Sequence, residues 1–167
     1  NEKQKGGKAV SETSMRGCDA IAAPLADCYI TVDGKRYHFM QMIDFEARMV
    51  KRRFEVPVLG HHAVGNKSAG WQGVFSGRAH YNERVLRNML YEFKRTGKEI
   101  YFEIQVTNED PASGAGKQTV VLMDCTLDGG VLAKFDADGT YLSETVQGTF
   151  EDFHIPHAFS DPNGTVL

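Results

Sequence analysis

Trp71-Gln72-Gly73-Val74-Phe75-Ser76-Gly77-Arg78-Ala79-His80-Tyr81 decides the fold class, because it alternates cleanly and then stops alternating. Trp71, Gly73, Phe75, Gly77, Ala79 and Tyr81 take one face; Gln72, Ser76, Arg78 and His80 take the other, with Val74 the exception. A period of two with one dry and one wet side belongs to a half-buried strand. From Asn82 the period turns helical. Asn82 is a good N-cap, Glu83 sits where the helix dipole favours an acid, and Tyr81 can staple onto Leu86. Val85, Leu86, Met89, Leu90 and Phe93 form one apolar stripe, with Lys94, Arg95 and Lys98 around the C-terminal end and Gly97 as the stop. The pattern predicts a helix over 82–96.

Upstream, Tyr29–Val32 and Tyr37–Ile43 flank Asp33-Gly34, whose residue types supply the positive φ angles of a tight hairpin turn. A longer strand is predicted through Phe45–Val58. Phe45, Ala47 and Met49 share one face while Val50, Phe54 and Val56 share the other, so a bulge or bend is expected near Lys51. Pro57–Gly70 carries Gly60, Gly65 and Gly70 and reads as a long loop, the tip of an arm hairpin over 45–75. Downstream, strands are predicted at Ile100–Thr107, Gln118–Thr126 and Ser143–Ile155, the last changing parity from Val146, Gly148 and Phe150 to Phe153 and Ile155. Gly129-Gly130 and Asp138-Gly139 punctuate the stretch between the last two. Residues 1–27 show neither period and read as a mobile arm or one ordered only against a partner. The expectation is one domain over 28–167, a mostly antiparallel β-sandwich or partial barrel with one flanking α-helix.

Composition agrees. A chain of 167 residues and 18.6 kDa suits one domain, and 41% hydrophobic with 25% charged residues matches neither a disordered chain nor a coiled coil. The longest apolar run, Ala20–Ala26, contains Pro24 and is far short of the roughly 20 residues of a membrane helix, so no membrane span is expected. Asn1-Glu2-Lys3-Gln4-Lys5 has no apolar segment behind it, which reads as a cytoplasmically made protein. Cys18, Cys28 and Cys125 lack metal or disulfide spacing and read as inert thiols. Charge is polarised: residues 1–98 hold 17 Lys and Arg against 10 Asp and Glu, whereas residues 99–167 hold 2 against 12. Complementary patches of this kind can orient copies of one chain against each other.

Catalytic and cofactor chemistry finds no carrier. His61-His62 point to opposite sides of an extended chain, and Pro156 prevents the helix that would align His154 with His157, so both pairs fit a metal poorly. Gly114-Ala115-Gly116-Lys117 fails as a phosphate loop because Pro111 stands at the first glycine, Gln118 replaces Ser or Thr, and no helix follows. Lys51-Arg52-Arg53 lack an aromatic platform for nucleic acid. No serine has the nucleophile-elbow context and no two carboxylates are paired by spacing. No catalytic, cofactor-binding or metal residue is therefore expected. What stands out is polarity on strand faces: Glu46 and Arg48, Gln72, Ser76 and Arg78, and Thr145, Gln147, Thr149 and Glu151 line one face of three separate strands. If those strands are neighbours, a ring of copies turns their common face into the lining of a lumen. Two other readings are a ligand-binding β-sandwich using Trp71, Tyr81 and Tyr101, and a metal enzyme using His61, His62, His154 and His157.

From Gly60 onward the chain resembles the tail tube proteins of contractile-tailed bacteriophages, in the group typified by the tube protein of a defective Bacillus prophage. The resemblance is carried by Gly60-His61-His62-Ala63-Val64-Gly65 leading into Gly70-Trp71-Gln72-Gly73, by Val85 to Lys94, and by Tyr101-Phe102. It is clearest in Val121-Leu122-Met123-Asp124-Cys125, Ala133-Lys134-Phe135-Asp136 and Thr149-Phe150-Glu151-Asp152-Phe153-His154-Ile155-Pro156. It covers roughly residues 28–161. It implies the phage tail tube fold, hexameric rings stacked into a hollow tube within a sheath, and an arm tip at Val58, Leu59, His61, His62, Val64 and Lys67 that reaches the adjacent ring. It further implies tail sheath, baseplate and tail terminator proteins as partners, and a tape measure protein and DNA, or only ions, in the lumen. The location implied is a virion tail or phage-tail-like particle assembled in the bacterial host cytoplasm. A baseplate hub or secretion-tube subunit is the related alternative.

Overall fold

The computed structural model of the chain describes residue 17 and residues 20–39, 42–82 and 84–160. Most of the expected N-terminal arm therefore lies outside the described residues. Four strands, one helix and four more strands follow in order: β1 (Ala26–Val32), β2 (Lys35–His38), β3 (Met42–Val56), β4 (Gly65–His80), α1 (Val85–Thr96), β5 (Phe102–Glu109), β6 (Lys117–Leu127), β7 (Ser143–Phe150) and β8 (Asp152–His157). All pairings are antiparallel, in the order β2-β1-β5-β6-β7-β4-β3, with β8 added to β6.

The β1–β2 turn forms as its residues predict, with Asp33 and Gly34 both at positive φ, 49° and 75°. β2 ends at His38, short of the predicted Ile43, and Ile43 instead belongs to β3, which opens at Met42. The pivot of the molecule is β6. Up to Cys125 it pairs with β5 on one side and, from Thr119 to Met123, with β8 on the other; its last residues, Thr126 and Leu127, pair with β7. Asp124 at φ 51° sits beside the register shift between Phe102 and Ile104, so a bulge bends β6 from one sheet into the next. The predicted single strand Ser143–Ile155 is correspondingly two, because β7 and β8 belong to different sheets and Glu151 breaks between them. That break turns both Phe150 and Phe153 towards the interior, where their rings meet edge-on at 6.2 Å and Trp71 packs against both.

The core is Ile30, Phe39, Phe75, Ala79, Leu86, Met89, Phe102, Ile104, Leu122, Cys125, Val146 and Phe150. Strand glycines make room for its aromatics. Gly73 stands opposite Phe150 and Gly148 opposite Phe75, and a Cβ at either would run into the facing ring. Burial of such rings stabilises by roughly 25 cal/mol per Å² removed from water, which offsets the entropy lost by glycine in a strand.

Helix α1 begins at Val85, later than the predicted Asn82. Arg84 holds the N-cap with no side-chain capping bond. Tyr81 is held elsewhere: its hydroxyl donates to the Leu132 carbonyl and accepts from the Lys134 amide, and the Arg87 guanidinium lies 4.1 Å over its ring. These tertiary ties compete with a local staple. The C-terminal end follows its residues, with Gly97 left-handed at φ 68° and donating to Phe93. Leu86 and Met89 are buried, whereas Phe93 stays half-exposed.

Candidate assembly interface

Two exposed features are built by β3 and β4 together, and a third by the segment between β6 and β7. The first is a polar sheet face. The ladder aligns Glu46 with Ser76 and Ser76 with Gln147, then Asp44 with Arg78 and Arg78 with Thr145, and beyond them Arg48 with Val74, Val74 with Thr149, and Val50 with Gln72. Eight of the nine residues predicted to share a face do so across β3, β4 and β7, seven of them exposed and Thr149 half-buried, whereas Glu151 falls in the break between β7 and β8 and leaves that face. Arg48 pairs with Glu46 at 3.1 Å and Arg78 with Asp44 at 2.6 Å. Thr149 and Thr126 hydroxyls bond at 3.1 Å. Asp44 escaped the sequence reading although it lies two residues before Glu46 and so shares its parity. Exposed pairs of this kind add about 0–1 kcal/mol each; their effect is to keep this face wet and its charges near balance.

The second feature is the arm. β7 pairs with β4 only as far as Gly73, so among the described residues the ladder between Val50 and Gln72 has two strands alone. The predicted bulge is present: Lys51 pairs with Trp71 and Arg53 with Ser68, so Ala69-Gly70 carry an extra residue, taken up by Gly70 at φ 117°. The loop predicted over 57–70 is shorter than that pattern implied. Gly65–Gly70 is strand, because Gly65, Asn66, Lys67 and Ser68 find partners on β3 and Ala69-Gly70 carry the chain through the bulge to Trp71. Lys67 consequently sits within the ribbon opposite Phe54, while Val58, Leu59, His61, His62 and Val64 lie in or beside the true tip. Leu59 is fully exposed and Val58, Val64, Phe54 and Val50 are about half-exposed. An isolated two-stranded ribbon is marginal in water, so an apolar tip on such a ribbon marks a contact surface.

The third feature, residues 128–142, was not singled out as a site. It is anchored by Tyr81, whose amide donates to Leu142, and by Lys134, whose ammonium donates to the Ser143 carbonyl at 2.7 Å. Leu132, Phe135 and Tyr141 stand 71%, 88% and 61% exposed. Apolar residues scattered through a segment without period give no local sign of whether they face in or out.

The remaining sequence candidates are dispersed. His61 and His62 are at the arm tip and His154 and His157 on β8, and among the described residues no group of three metal-ligating side chains gathers. Trp71 packs at the arm base against Phe150 and Phe153, Tyr81 lies under Arg87, and Tyr101 precedes β5. Burial pushes the thiols of Cys28 and Cys125 up to about 12.

Comparison with known proteins places this geometry. The family model described as phage tail tube protein matches residues 13–157. The chain is 32% identical over 117 residues to phage-like element PBSX protein XkdM of Bacillus subtilis (strain 168), covering 70% of this chain and 80% of that protein. It is 31% identical over 112 residues to the uncharacterized protein YqbM of the same strain, covering 67% and 76%. Among solved structures, a chain of the PVC sheath-tube complex in its extended state, from an extracellular contractile injection system, superposes with TM-score 0.61 at 9% identity over 87% of this chain and 99% of its own. A chain of the anti-feeding prophage baseplate gives TM-score 0.57 at 8% identity over 90% and 97%. At these identities the structures share the fold.

Proposed function

The chain belongs to the phage tail tube protein family, and on that premise we propose that it closes into hexameric rings whose stack is the hollow inner tube of a contractile phage tail or phage-tail-like particle. One observation carries the reading. The same two strands present a continuous polar face at their base and a projecting apolar-tipped ribbon beyond it. β3 is 15 residues long, and among the described residues its only ladder partner is β4. A long open edge of this kind templates pairing with another chain. Lateral pairing between subunits satisfies that edge and joins the β3-β4-β7 faces into one barrel wall. Glu46, Arg48, Gln72, Ser76, Arg78, Thr145, Gln147 and Thr149 then line the lumen. Its near-balanced, hydrogen-bonding surface suits passage of DNA, or of ions, without trapping either sign of charge.

In this reading the protein does no catalysis and its partners are structural. The arm tip, Val58, Leu59, His61, His62 and Val64 with Lys67 behind it, meets the adjacent ring. The outer wall meets a tail sheath protein, the tube ends meet baseplate and tail terminator proteins, and the lumen holds a tape measure protein before DNA passes. The particle assembles in the bacterial host cytoplasm. The likeness to a chain of a sheath-tube complex supports the fold this requires.

Electron microscopy of concentrated protein, or of protein coexpressed with its sheath and baseplate, tests the proposal. Hollow stacked rings with sixfold averages are expected. Monomers under every condition would overturn it. Val58→Asp, Leu59→Asp or Val64→Asp should abolish stacking while leaving the circular dichroism spectrum unchanged, since all three side chains are exposed.

A further inference from the structure

We propose that the surface receiving the arm is the segment 128–142 of a second copy, so that successive copies join head to tail through two different patches. The inference rests on the reading of the β3–β4 ribbon as the inter-ring arm and names what that arm binds. Three observations carry it.

The first is placement. β4 runs from Gly65 at the arm to His80 at the opposite end of the body, and His80 pairs with Ser143, the first residue of β7. The Tyr81 amide bonded to Leu142, its hydroxyl bonded to Leu132 and Lys134, and the Lys134 ammonium bonded to Ser143 fix residues 132–142 of the segment at that same far end. Arm and segment are therefore at opposite ends of one strand. The body portion, Gly73–His80, and the arm portion, Gly65–Gln72, have equal residue counts in β4; at about 3.3 Å per residue each spans about 26 Å. A copy translated along the strand direction presents its 128–142 end to the arm of the copy before it.

The second is charge. Lys51, Arg52, Arg53 and Lys67 outnumber Glu55 on the ribbon, and Asp128, Asp136 and Asp138 outnumber Lys134 on the segment, where the Lys134 ammonium is engaged by Ser143. Opposite signs at the two ends favour head-to-tail contact and penalise head-to-head. The third is apolar surface. Leu59 at 102% and Phe135 at 88% exposure are the two most exposed large hydrophobic side chains described, one at each end. Large exposed apolar groups mark interaction sites. Because the two patches differ, their contact is heterologous and repeats without closing along the axis. The result is a growing stack.

Disulfide trapping tests the contact directly. Leu59→Cys and Phe135→Cys variants are mixed, assembled into tubes and oxidised, with each single variant alone as background. A mixed 59–135 disulfide, identified by peptide mass, is expected. Tubes without that linkage above background overturn the receiving surface while leaving the arm reading intact. Tubes of normal length from Leu59→Asp protein remove the arm reading and this proposal with it. A charge cycle supplies an independent readout: Asp136→Lys with Asp138→Lys should lose tubes, Arg52→Glu with Arg53→Glu should lose them too, and the four changes together should restore them. Unchanged yield in both reversed variants overturns the proposal.

Discussion

At the scale of single residues, this molecule is governed by what a glycine permits and what a buried charge requires. Gly148 stands where a Cβ would collide with the Thr126 carbonyl and lie 2.8 Å from the Phe75 ring. Gly148→Val should therefore destabilise the fold by about 3 kcal/mol or more through overpacking, read as a lowered urea midpoint. Glu144 is 4% exposed and accepts from Arg87 Nη2 at 3.0 Å. Removing that guanidinium takes a cation from beside a buried carboxylate, so Arg87→Leu should cost about 3 kcal/mol, with part of the loss coming from the Tyr81 ring it covers. The thiols give a pH signature. Burial raises Cys28 and Cys125 from 9.0 to about 12, so unfolded thiols ionise before folded ones. Their contribution to stability is whole below pH 9.0 and is lost as pH rises towards 12. Urea midpoints across that range should fall, and both thiols should resist disulfide-exchange reagents at neutral pH until the protein unfolds.

Among elements, β6 and the β3–β4 ribbon behave oppositely. β6 has partners on both sides and bends at Asp124 to serve two sheets; it belongs to the most stable part of the fold. Among the described residues, the ribbon beyond Gly73 has neither a third strand nor a covering layer. Local opening follows from few buried contacts and exposed ladder bonds. In dilute protein, the first tryptic cuts within residues 20–160 should fall after Lys51, Arg52, Arg53 or Lys67, giving two fragments split at the arm. The same sites should be protected in assembled tubes, as followed by gel and peptide mass. Equal cleavage in both states would mean that the arm stays uncovered on assembly. The polar face was legible because strand parity is local: once Gln72, Ser76 and Arg78 alternate with Phe75 and Ala79, their common side is fixed. The extent of the ribbon was not, since Gly65 to Ser68 become strand only through partners on β3 about 10 to 15 residues away.

For the whole molecule, the open β3 edge, the polar face and the two unlike ends are properties of an unfinished surface. In the proposed assembly another chain completes each of them. Assembly should then depend steeply on concentration and show a lag removed by preformed tube ends, followed by light scattering. Added salt should lengthen that lag, because the oppositely charged ends attract over no more than about one Debye length, roughly 8 Å at physiological ionic strength. The amino-acid sequence by itself determined the class of the elements apart from Gly65–Gly70, which reads as loop and is strand, and it determined the Asp33-Gly34 turn, the bulge near Lys51 and the side on which the polar residues of β3, β4 and β7 fall. All of these follow from backbone preference and from the period-two or helical direction of neighbouring side chains. Tertiary structure alone decided that β6 passes between sheets, that Glu151 divides the last strand, that α1 waits until Val85, and that Leu132, Phe135 and Tyr141 face outward at the end opposite the arm. Those outcomes turn on ladder partners and anchoring bonds made across long stretches of chain, and no local period encodes them.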